Sequence, residues 1–257
     1  MAENTNPWAL YDALIQAIPP EFIVDETITG EHWAYVRSGS RVGLAMNLSH
    51  TVNSETRPRA LPNSCQGMAL RDLAVAAKSW NLAEASLGVA AINAYWNSPE
   101  HEKVALALAE DDINAFDAWK DRVVGKKVVV VGHFMHLEQT LGPICELSIL
   151  EKRPGPGDYP DSACEFIIPL QDFVFATGVT LVNKTLPRLL ELSRRQGMIL
   201  AGPTTSLSPL LFDFGVRDLQ GLVITDPDLC REVITGKREG VIFDAGRRVS
   251  LVRPNIL

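Results

Sequence analysis

Two histidines, His133 and His136, follow a run of four valines and Gly132 in the segment VVVVGHFMHLEQTLG, residues 128–142. If this turn leads directly into a helix, residues three apart lie on one face, and both imidazoles can reach one transition-metal ion. A third ligand would have to come from Glu138, which a helix is expected to point elsewhere, from another strand end, or from the N-terminal part of the chain. That part holds three further histidines: His32, His50 and His101. The alternative is that His133 caps or packs at the helix start and that His136 faces solvent.

The same turn also begins like a dinucleotide-binding motif. An acid, Glu151, lies 19 residues after Gly132, at the spacing at which such a fold places a carboxylate on the ribose hydroxyls. Against this hypothesis, the turn has G-H-F-M-H where G-x-G-x-x-G is needed, so bulky side chains occupy the space in which the backbone must approach a pyrophosphate. A standard dinucleotide pose is therefore disfavoured, and the alternative for Glu151 is a solvated strand end.

Two later segments place further polar groups after predicted strands. TGVTLVNKT begins at Thr177 and Gly178 and contains Asn183, and GPTTSLSP begins at Gly202 and contains Thr204 and Thr205. In an open parallel sheet ligands bind outside the carboxyl ends of the strands, and hydroxyls and free amides at a helix start suit a carboxylate or phosphate. The alternative for the second segment is that its hydroxyls merely satisfy the turn and the helix cap at Ser208-Pro209.

The elements that must position these residues divide the chain into two patterns. From Lys126 onward, short Val/Ile/Leu-rich strands alternate with helical segments, which indicates a parallel sheet covered on both faces. Before it, the pattern predicts an amphipathic helix after Asn6-Pro7, a three-stranded antiparallel meander and two helices. We therefore expect an α+β domain over residues 1–120 and a Rossmann-like α/β domain over residues 121–257.

The second of those two helices begins at Asn81, with Glu84 three positions later, which is the spacing of a capping box. Its sequence, LAEASLGVAAINAYWN, is rich in small residues and predicts close packing against a sheet. Asn93 and Asn97 are then either helix-end polar groups or residues that face a cleft.

Composition excludes several classes of function. A formal charge of −7 without a Lys/Arg cluster argues against nucleic acid as a partner. No run of 18 apolar residues occurs and the N-terminus is polar, so we expect a cytoplasmic protein with no membrane partner. Four scattered cysteines without a C-x-x-C pair predict buried reduced thiols. Neither G-x-S-x-G nor a P-loop is present, which removes the usual support for a hydrolase or an NTPase.

Five motifs of the C-terminal half, taken in order and spacing, resemble the uncharacterised bacterial and archaeal heavy-metal chelation domain family: VVVVGHFMHLE, SILEKRPGPGDYPDSACEFIIP, DFVFATGVTLVNKTLPRLLELSR, GPTTSLSPLLFDFGV and LQGLVITDP. The resemblance implies a Rossmann-like domain preceded by a smaller domain with the fold of the enolase N-terminal domain, and a site in the cleft between them. It carries the family's motif positions onto nine residues of this chain: His133, Glu151, Asp158, Thr177, Gly178, Asn183, Gly202, Pro203 and Thr204.

The leading hypothesis is a protein that binds a small anionic or metal-associated ligand in the interdomain cleft. His133, with His136, would contact a transition metal or the polar head, while the turns containing Thr177, Asn183, Thr204 and Thr205 would supply hydrogen bonds. The rival hypothesis is an enzyme that uses an adenosine-containing cofactor, NAD(P) or S-adenosylmethionine, at the strand ends. A third is an assembly module, against which the polar strand-end loops argue, although homo-oligomerisation is compatible with the sequence.

Overall fold

The computed structural model describes residues 6–50, 57–108 and 112–253, so the start of the chain and part of the acidic stretch near the expected domain boundary lie outside it. Its smaller sheet is an antiparallel meander in the order β1-β2-β3. The three strands are β1 (Glu26–Thr29), β2 (Trp33–Ser38) and β3 (Arg41–Met46). The predicted meander is confirmed.

The larger sheet has seven strands in the order β10-β9-β8-β7-β4-β5-β6. They are β4 (Lys127–Val131), β5 (Glu146–Glu151), β6 (Tyr159–Pro160), β7 (Phe173–Thr177), β8 (Met198–Ala201), β9 (Val216–Ile224) and β10 (Gly246–Val252). All neighbouring pairs are parallel except β9 and β10. The predicted mixed α/β fold with a mostly parallel sheet is confirmed, because strands such as the valine run of β4 are buried on both faces. β6 and β10 are additions that the sequence pattern did not predict.

The described residues contain ten α-helical segments, several of them a single turn long. They are α1 (Ala9–Gln16), α2 (Leu70–Ala74), α3 (Leu82–Trp96), α4 (Glu102–Ala107), α5 (Ala115–Trp119), α6 (Leu137–Thr140), α7 (Cys164–Ile167), α8 (Val179–Val182), α9 (Leu186–Leu192) and α10 (Pro227–Ile234). The helix expected at Ser208-Pro209 is a 3-10 helix over Pro209–Phe214, and the Ser208 side chain makes no capping hydrogen bond.

Helix α3 lies directly on the smaller sheet, as its small residues predicted. A Cβ built on Gly43 of β3 would lie 2.0 Å from the carbonyl oxygen of Ala90, so only glycine permits this approach. Asn81 caps the helix by accepting from the backbone N–H groups of Ala83 and Glu84. The predicted capping box does not form, because the Glu84 carboxylate accepts hydrogen bonds from Ala60, Leu61 and Ser79 and not from the N–H of Asn81.

Asn93 and Asn97 fasten α3 to the larger sheet. Both side chains are buried. Asn93 Nδ2 donates to the carbonyl oxygens of Leu44 and Thr204, at 2.8 and 3.0 Å. Asn97 is the C-cap residue of α3, so the predicted position at the helix end is correct. Its side chain, however, forms hydrogen bonds with Thr205 and Leu207 in the segment after β8. Neither side chain lies in an open cleft.

Buried apolar side chains from both sheets form one continuous cluster, in which Leu14, Val36 and Ile92 join Val129 and Leu200. Because this core is continuous, it does not mark a domain boundary at residue 120, and that boundary stays a prediction. The Rossmann-like classification and the likeness to the enolase N-terminal domain also stay predictions. Cys65 and Cys230 are buried, whereas Cys145 and Cys164 are only partly buried; all four are free thiols. Within the described part of the chain, no helix has both the length and the apolar character to cross a membrane.

A buried carboxylate, Asp218 on β9, accepts hydrogen bonds from Trp119 Nε1 at 2.6 Å, Gln220 Nε2 at 2.8 Å and Ser250 Oγ at 3.2 Å. Burial raises the pKa of Asp218 above its ordinary value, and these hydrogen bonds offset the rise only in part. The folded protein therefore holds this proton at pH values at which the unfolded chain has released it. The resulting stabilisation is present below the unfolded pKa near 3.8 and is lost as pH rises through the folded pKa.

We predict that Asp218→Asn removes this pH dependence. As pH rises from about 4 to 8, the free energy of unfolding of the wild type should fall relative to that of the variant. Urea unfolding of both proteins at several pH values measures the difference. A constant gap over this range would contradict the prediction, whereas any constant offset reflects only the changed hydrogen bonds of the amide.

Candidate functional site

The loops after β4 and β7 diverge at the carboxyl edge of the larger sheet. The chain proceeds from β4 to β5 on one side and later places β7 on the other side of β4. Such a reversal of strand order opens a crevice at the strand ends. Gly132 and Thr177 meet there, since a Cβ on Gly132 would lie 2.8 Å from Thr177 Cγ2, and Gly132 has a φ of 98°. The sequence placed the candidate site at this edge of the sheet, and His133 lies on it.

Three carboxylates surround His133. Its backbone N–H donates to Glu151 Oε2 at 3.0 Å, its Nδ1 lies 2.9 Å from Asp158 Oδ2, and its Nε2 lies 3.0 Å from Glu138 Oε1. Asp158 also accepts from the backbone N–H of Gly155 at 2.9 Å, and its side chain is only 2% exposed. Both ring nitrogens of His133 therefore face carboxylate oxygens.

The carboxylates around His133 favour the protonated imidazole. The hydrogen bond to Asp158 raises the pKa of His133. Burial raises the pKa of Asp158, but the hydrogen bonds from His133 and Gly155 outweigh burial and leave that pKa below its ordinary value. Asp158 is thus ionised and accepts the proton of Nδ1. When His133 is protonated, Nε2 donates to Glu138 Oε1, and a metal ion on Nε2 would have to take the place of that proton.

His133 and Glu138 carry one metal-donor atom each. Imidazole nitrogen and carboxylate oxygen each bind zinc at about 2.0–2.2 Å, so two such ligands on one tetrahedral ion lie about 3.3–3.6 Å apart. The Nε2 to Oε1 distance of 3.0 Å is that of an ion pair, and the two atoms would have to separate by a few tenths of an ångström to bind one ion. Among the described residues, however, no group of three or more His, Cys, Asp or Glu side chains is arranged to hold a metal. The described residues therefore bring two donors together here, fewer than the three protein ligands of a catalytic zinc site.

His136 does not share the surroundings of His133. Helix α6 begins at Leu137, so the premise that both histidines lie on one helical face is wrong. His136 has a left-handed φ of 61°, and its Nδ1 lies 2.8 Å from Gln139 Oε1. The expectation that Glu138 points elsewhere is also wrong. The left-handed residue redirects the chain just before α6, and Glu138 in the first turn reaches the His133 imidazole.

Phe134 occupies the space above the neighbouring strand ends. Its ring lies 5.1 Å from the Phe116 ring, and its Cε1 would lie 3.5 Å from a Cβ on Gly202, which has a φ of 99°. An aromatic ring therefore covers the turn at which a dinucleotide fold would bind a pyrophosphate. The adenosine-cofactor hypothesis gains no support from this geometry.

The remaining predicted site residues make their hydrogen bonds within the protein. Thr177 Oγ1 accepts from the N–H of Val179, and Asn183 Oδ1 accepts from the N–H and Oγ1 of Thr185. Gly178 packs against the backbone of Thr205, with room for no Cβ: its nearest atom would be Thr205 N at 2.3 Å.

Thr204 and Thr205 are buried, at 2% and 0% exposure. Thr204 Oγ1 accepts from Met46 N of the smaller sheet at 2.9 Å, and Thr205 O accepts from Asn97 Nδ2 at 2.8 Å. These contacts serve the packing of the two sheets, while the buried Thr205 Oγ1 has no hydrogen-bond partner among the described residues. Glu138 is the residue at this site that sequence reasoning missed. Its side chain reaches His133 only because of the left-handed backbone at His136, which the sequence did not indicate.

Comparisons with known proteins agree with this architecture. The model of the family DUF364, described as "Putative heavy-metal chelation", matches residues 114–252, more than half of the chain, and DUF4213, a second family with the same description, matches residues 11–96. An uncharacterized protein of Methanocaldococcus jannaschii is 32% identical over 161 residues, a match that spans 59% of this chain and 59% of that relative.

Two solved structures are similar along nearly the whole chain. A DUF364 protein with unknown function from Desulfitobacterium hafniense is 44% identical, with a TM-score of 0.86 over 96% of this chain and 98% of that one. Another, from Pyrococcus horikoshii, is 19% identical with a TM-score of 0.74 over 95% and 98% of the two chains, which is evidence for the fold alone. The resemblance inferred from the five motifs is thereby confirmed, and the chain belongs to the DUF364 family.

Proposed function

We propose that this protein binds a heavy-metal ion, free or carried by a small anionic chelator, at His133. The observation that supports the proposal is the 3.0 Å approach of Nε2 to the Glu138 carboxylate, with Nδ1 already held by Asp158. Imidazole and carboxylate together suit first-row ions such as Zn²⁺, Co²⁺, Ni²⁺ and Cu²⁺. When bound, the metal would supply a Lewis-acidic centre with open coordination positions.

Asp158 acts as the positioning residue of this site. A carboxylate on the far ring nitrogen fixes the orientation of a metal-binding histidine and makes the imidazole a better donor. Its side chain is almost fully buried and also accepts from Gly155, so the carboxylate has little freedom to turn away. Glu151 positions the backbone of this site. Its carboxylate accepts hydrogen bonds from the N–H groups of His133, Lys152 and Arg153 and so holds the turn in place.

The small number of protein donors favours a metal that arrives with other ligands. Two donors leave at least two positions of a tetrahedral ion open, and a chelator can fill them. Lys152 and Arg153 are exposed beside the site and supply positive charge for an anionic chelator. Arg153 Nη2 donates to the carbonyl oxygen of His50 at 3.4 Å, so a loop from the N-terminal part borders the same edge. Thr177, Asn183 and Gly202, which are only partly buried, are the proposed contacts to the chelator, whereas Gly178 is buried against Thr205.

Calorimetric titration of metal-stripped protein with Zn²⁺, Co²⁺, Ni²⁺ and Cu²⁺ tests the proposal. We expect at least one ion to bind, and His133→Ala to weaken that binding at least about tenfold because one of the two protein ligands is lost. His32→Ala is the matched control, since that side chain is 75% exposed and lies in the turn between β1 and β2. No heat with any of the four ions, or an unchanged affinity in His133→Ala, would contradict the proposal.

A further inference from the structure

A β-bulge lies where β9 begins, at the amino edge of the larger sheet and opposite the edge at which the metal site is proposed. The bulge residue is Arg217: no residue of β8 pairs with it, whereas its neighbours Val216 and Asp218 are both paired. A bulge redirects the side chain of the extra residue. Here the Arg217 guanidinium lies over the ring of Trp119, with its Cζ 4.9 Å from the ring centroid.

Arg122 approaches the same indole. It follows Trp119 by three positions in the chain, and its Cζ also lies 4.9 Å from the ring centroid. The two Cζ atoms therefore cannot be further apart than twice that distance. The indole is anchored, because Trp119 is 3% exposed and its Nε1 donates to Asp218 Oδ2. One buried aromatic ring thus holds two guanidinium groups near each other.

Within the described part of the chain, neither guanidinium forms an ion pair or donates a hydrogen bond to the protein. The oxygens of Asp218, next to Arg217 in the chain, already accept from Trp119, Gln220 and Ser250. Burial and then the positive charge of Arg122 lower the pKa of Arg217. The two cations therefore repel each other, and an anion in contact with both would relieve that repulsion. Six other arginines each lie close to an acid: Arg37, Arg41, Arg188, Arg231, Arg238 and Arg248.

Further basic residues border the pair. The N–H of Arg253 donates to Arg217 O at 3.1 Å. A Cβ on Gly197 would lie 3.2 Å from Arg217 Cβ, so the turn SRRQG, residues 193–197, also lies beside Arg217. The segment KDRVVGKK, residues 120–127, contains four basic residues and one acid. A chain with a formal charge of −7 thus collects positive charge at one edge of its sheet, where anions are attracted.

We infer that Arg122 and Arg217 bind a small phosphate-bearing molecule at the amino edge of the larger sheet. Each planar guanidinium can donate two parallel hydrogen bonds to phosphate oxygens. Two guanidinium groups match the charge of a phosphate dianion or a diphosphate, whereas a single carboxylate would leave one of them without a partner. This site is separate from the metal site proposed at His133 and requires no metal ion.

Calorimetric titration of metal-stripped protein with inorganic diphosphate tests the inference. We expect diphosphate to bind and Arg217→Gln to weaken that binding at least about tenfold, since charged hydrogen bonds are lost. Arg122→Gln should have the same effect. Its side chain is exposed, so this variant tests the site even if Arg217→Gln does not fold. Arg188→Gln is the matched control with unchanged binding, because Glu165 and Glu191 already accept from that guanidinium.

The indole N–H signal of Trp119 in a ¹H–¹⁵N spectrum locates the bound anion. We expect diphosphate to shift it in the wild type and in His133→Ala, but not in Arg122→Gln. Succinate, a dicarboxylate, should bind at least about tenfold more weakly than diphosphate. Absence of binding, an unmoved Trp119 signal, equal affinity in Arg122→Gln and Arg188→Gln, or equal affinity for succinate would overturn the inference. Loss of diphosphate binding in His133→Ala would overturn it too, because the anion would then bind at the proposed metal site.

Discussion

Replacing Gly43 by alanine is expected to prevent the stable folded state from forming. A Cβ at this position would lie 2.0 Å from Ala90 O and 2.1 Å from Ala94 N, both of them backbone atoms of α3. No side-chain rotation relieves such an overlap, so the helix would have to move off the smaller sheet by more than 1 Å, an ordinary carbon contact being about 3.5 Å. The same helix is held on its other side, where a Cβ on Gly88 would lie 1.9 Å from Ala77 N.

The expected loss is at least about 4 kcal/mol, a large share of the 5–15 kcal/mol by which domains are stable. Chemical unfolding followed by circular dichroism, together with the soluble yield, measures it. Gly155→Ala is the matched control: the new Cβ would meet only Asp158 Oδ2, at an ordinary 3.5 Å, so that variant should stay within about 1 kcal/mol of the wild type. A Gly43→Ala protein with an unchanged midpoint would show that α3 does not contact β3 so closely.

Much of the fold could be predicted because it depends on local composition. The valine run of β4 has no polar residue to place in water, so it had to lie inside a parallel sheet, and the small residues of α3 required a close neighbour. β10 was not predictable in the same way. Only Val249 and Leu251 are buried in it, and whether such a segment pairs with β9 is decided by contacts distant in the chain.

The candidate site was likewise predictable only in part. The topology of a parallel sheet was enough to place His133, Glu151 and Thr177 at one edge. The position of Glu138 was not predictable, because a single left-handed residue, His136, determines where α6 points. The burial of Thr204 likewise depends on how α3 docks on the larger sheet, and no spacing within its own segment indicates that contact.

Asn97→Ala should be the most damaging change among the buried asparagines. The side chain donates to Thr205 O at 2.8 Å and Leu222 O at 3.3 Å, and it accepts from Leu207 N at 2.8 Å. Alanine leaves these buried backbone groups without that partner and opens a cavity between α3 and the larger sheet. Each unsatisfied group costs about 1–3 kcal/mol, so we expect a total loss of about 3–5 kcal/mol in the free energy of unfolding.

Two further alanine variants test the reason for that loss. Asn93 donates to two carbonyl oxygens and accepts from no described group, so Asn93→Ala orphans no backbone N–H and should cost less than Asn97→Ala. An unpaired buried carbonyl is tolerated better than an unpaired N–H. Asn63→Ala, at an exposed loop position, should change stability by less than about 0.5 kcal/mol. Urea unfolding ranks the three variants, and a loss in Asn97→Ala no larger than that in Asn63→Ala would mean that α3 is not fastened to the larger sheet through Asn97.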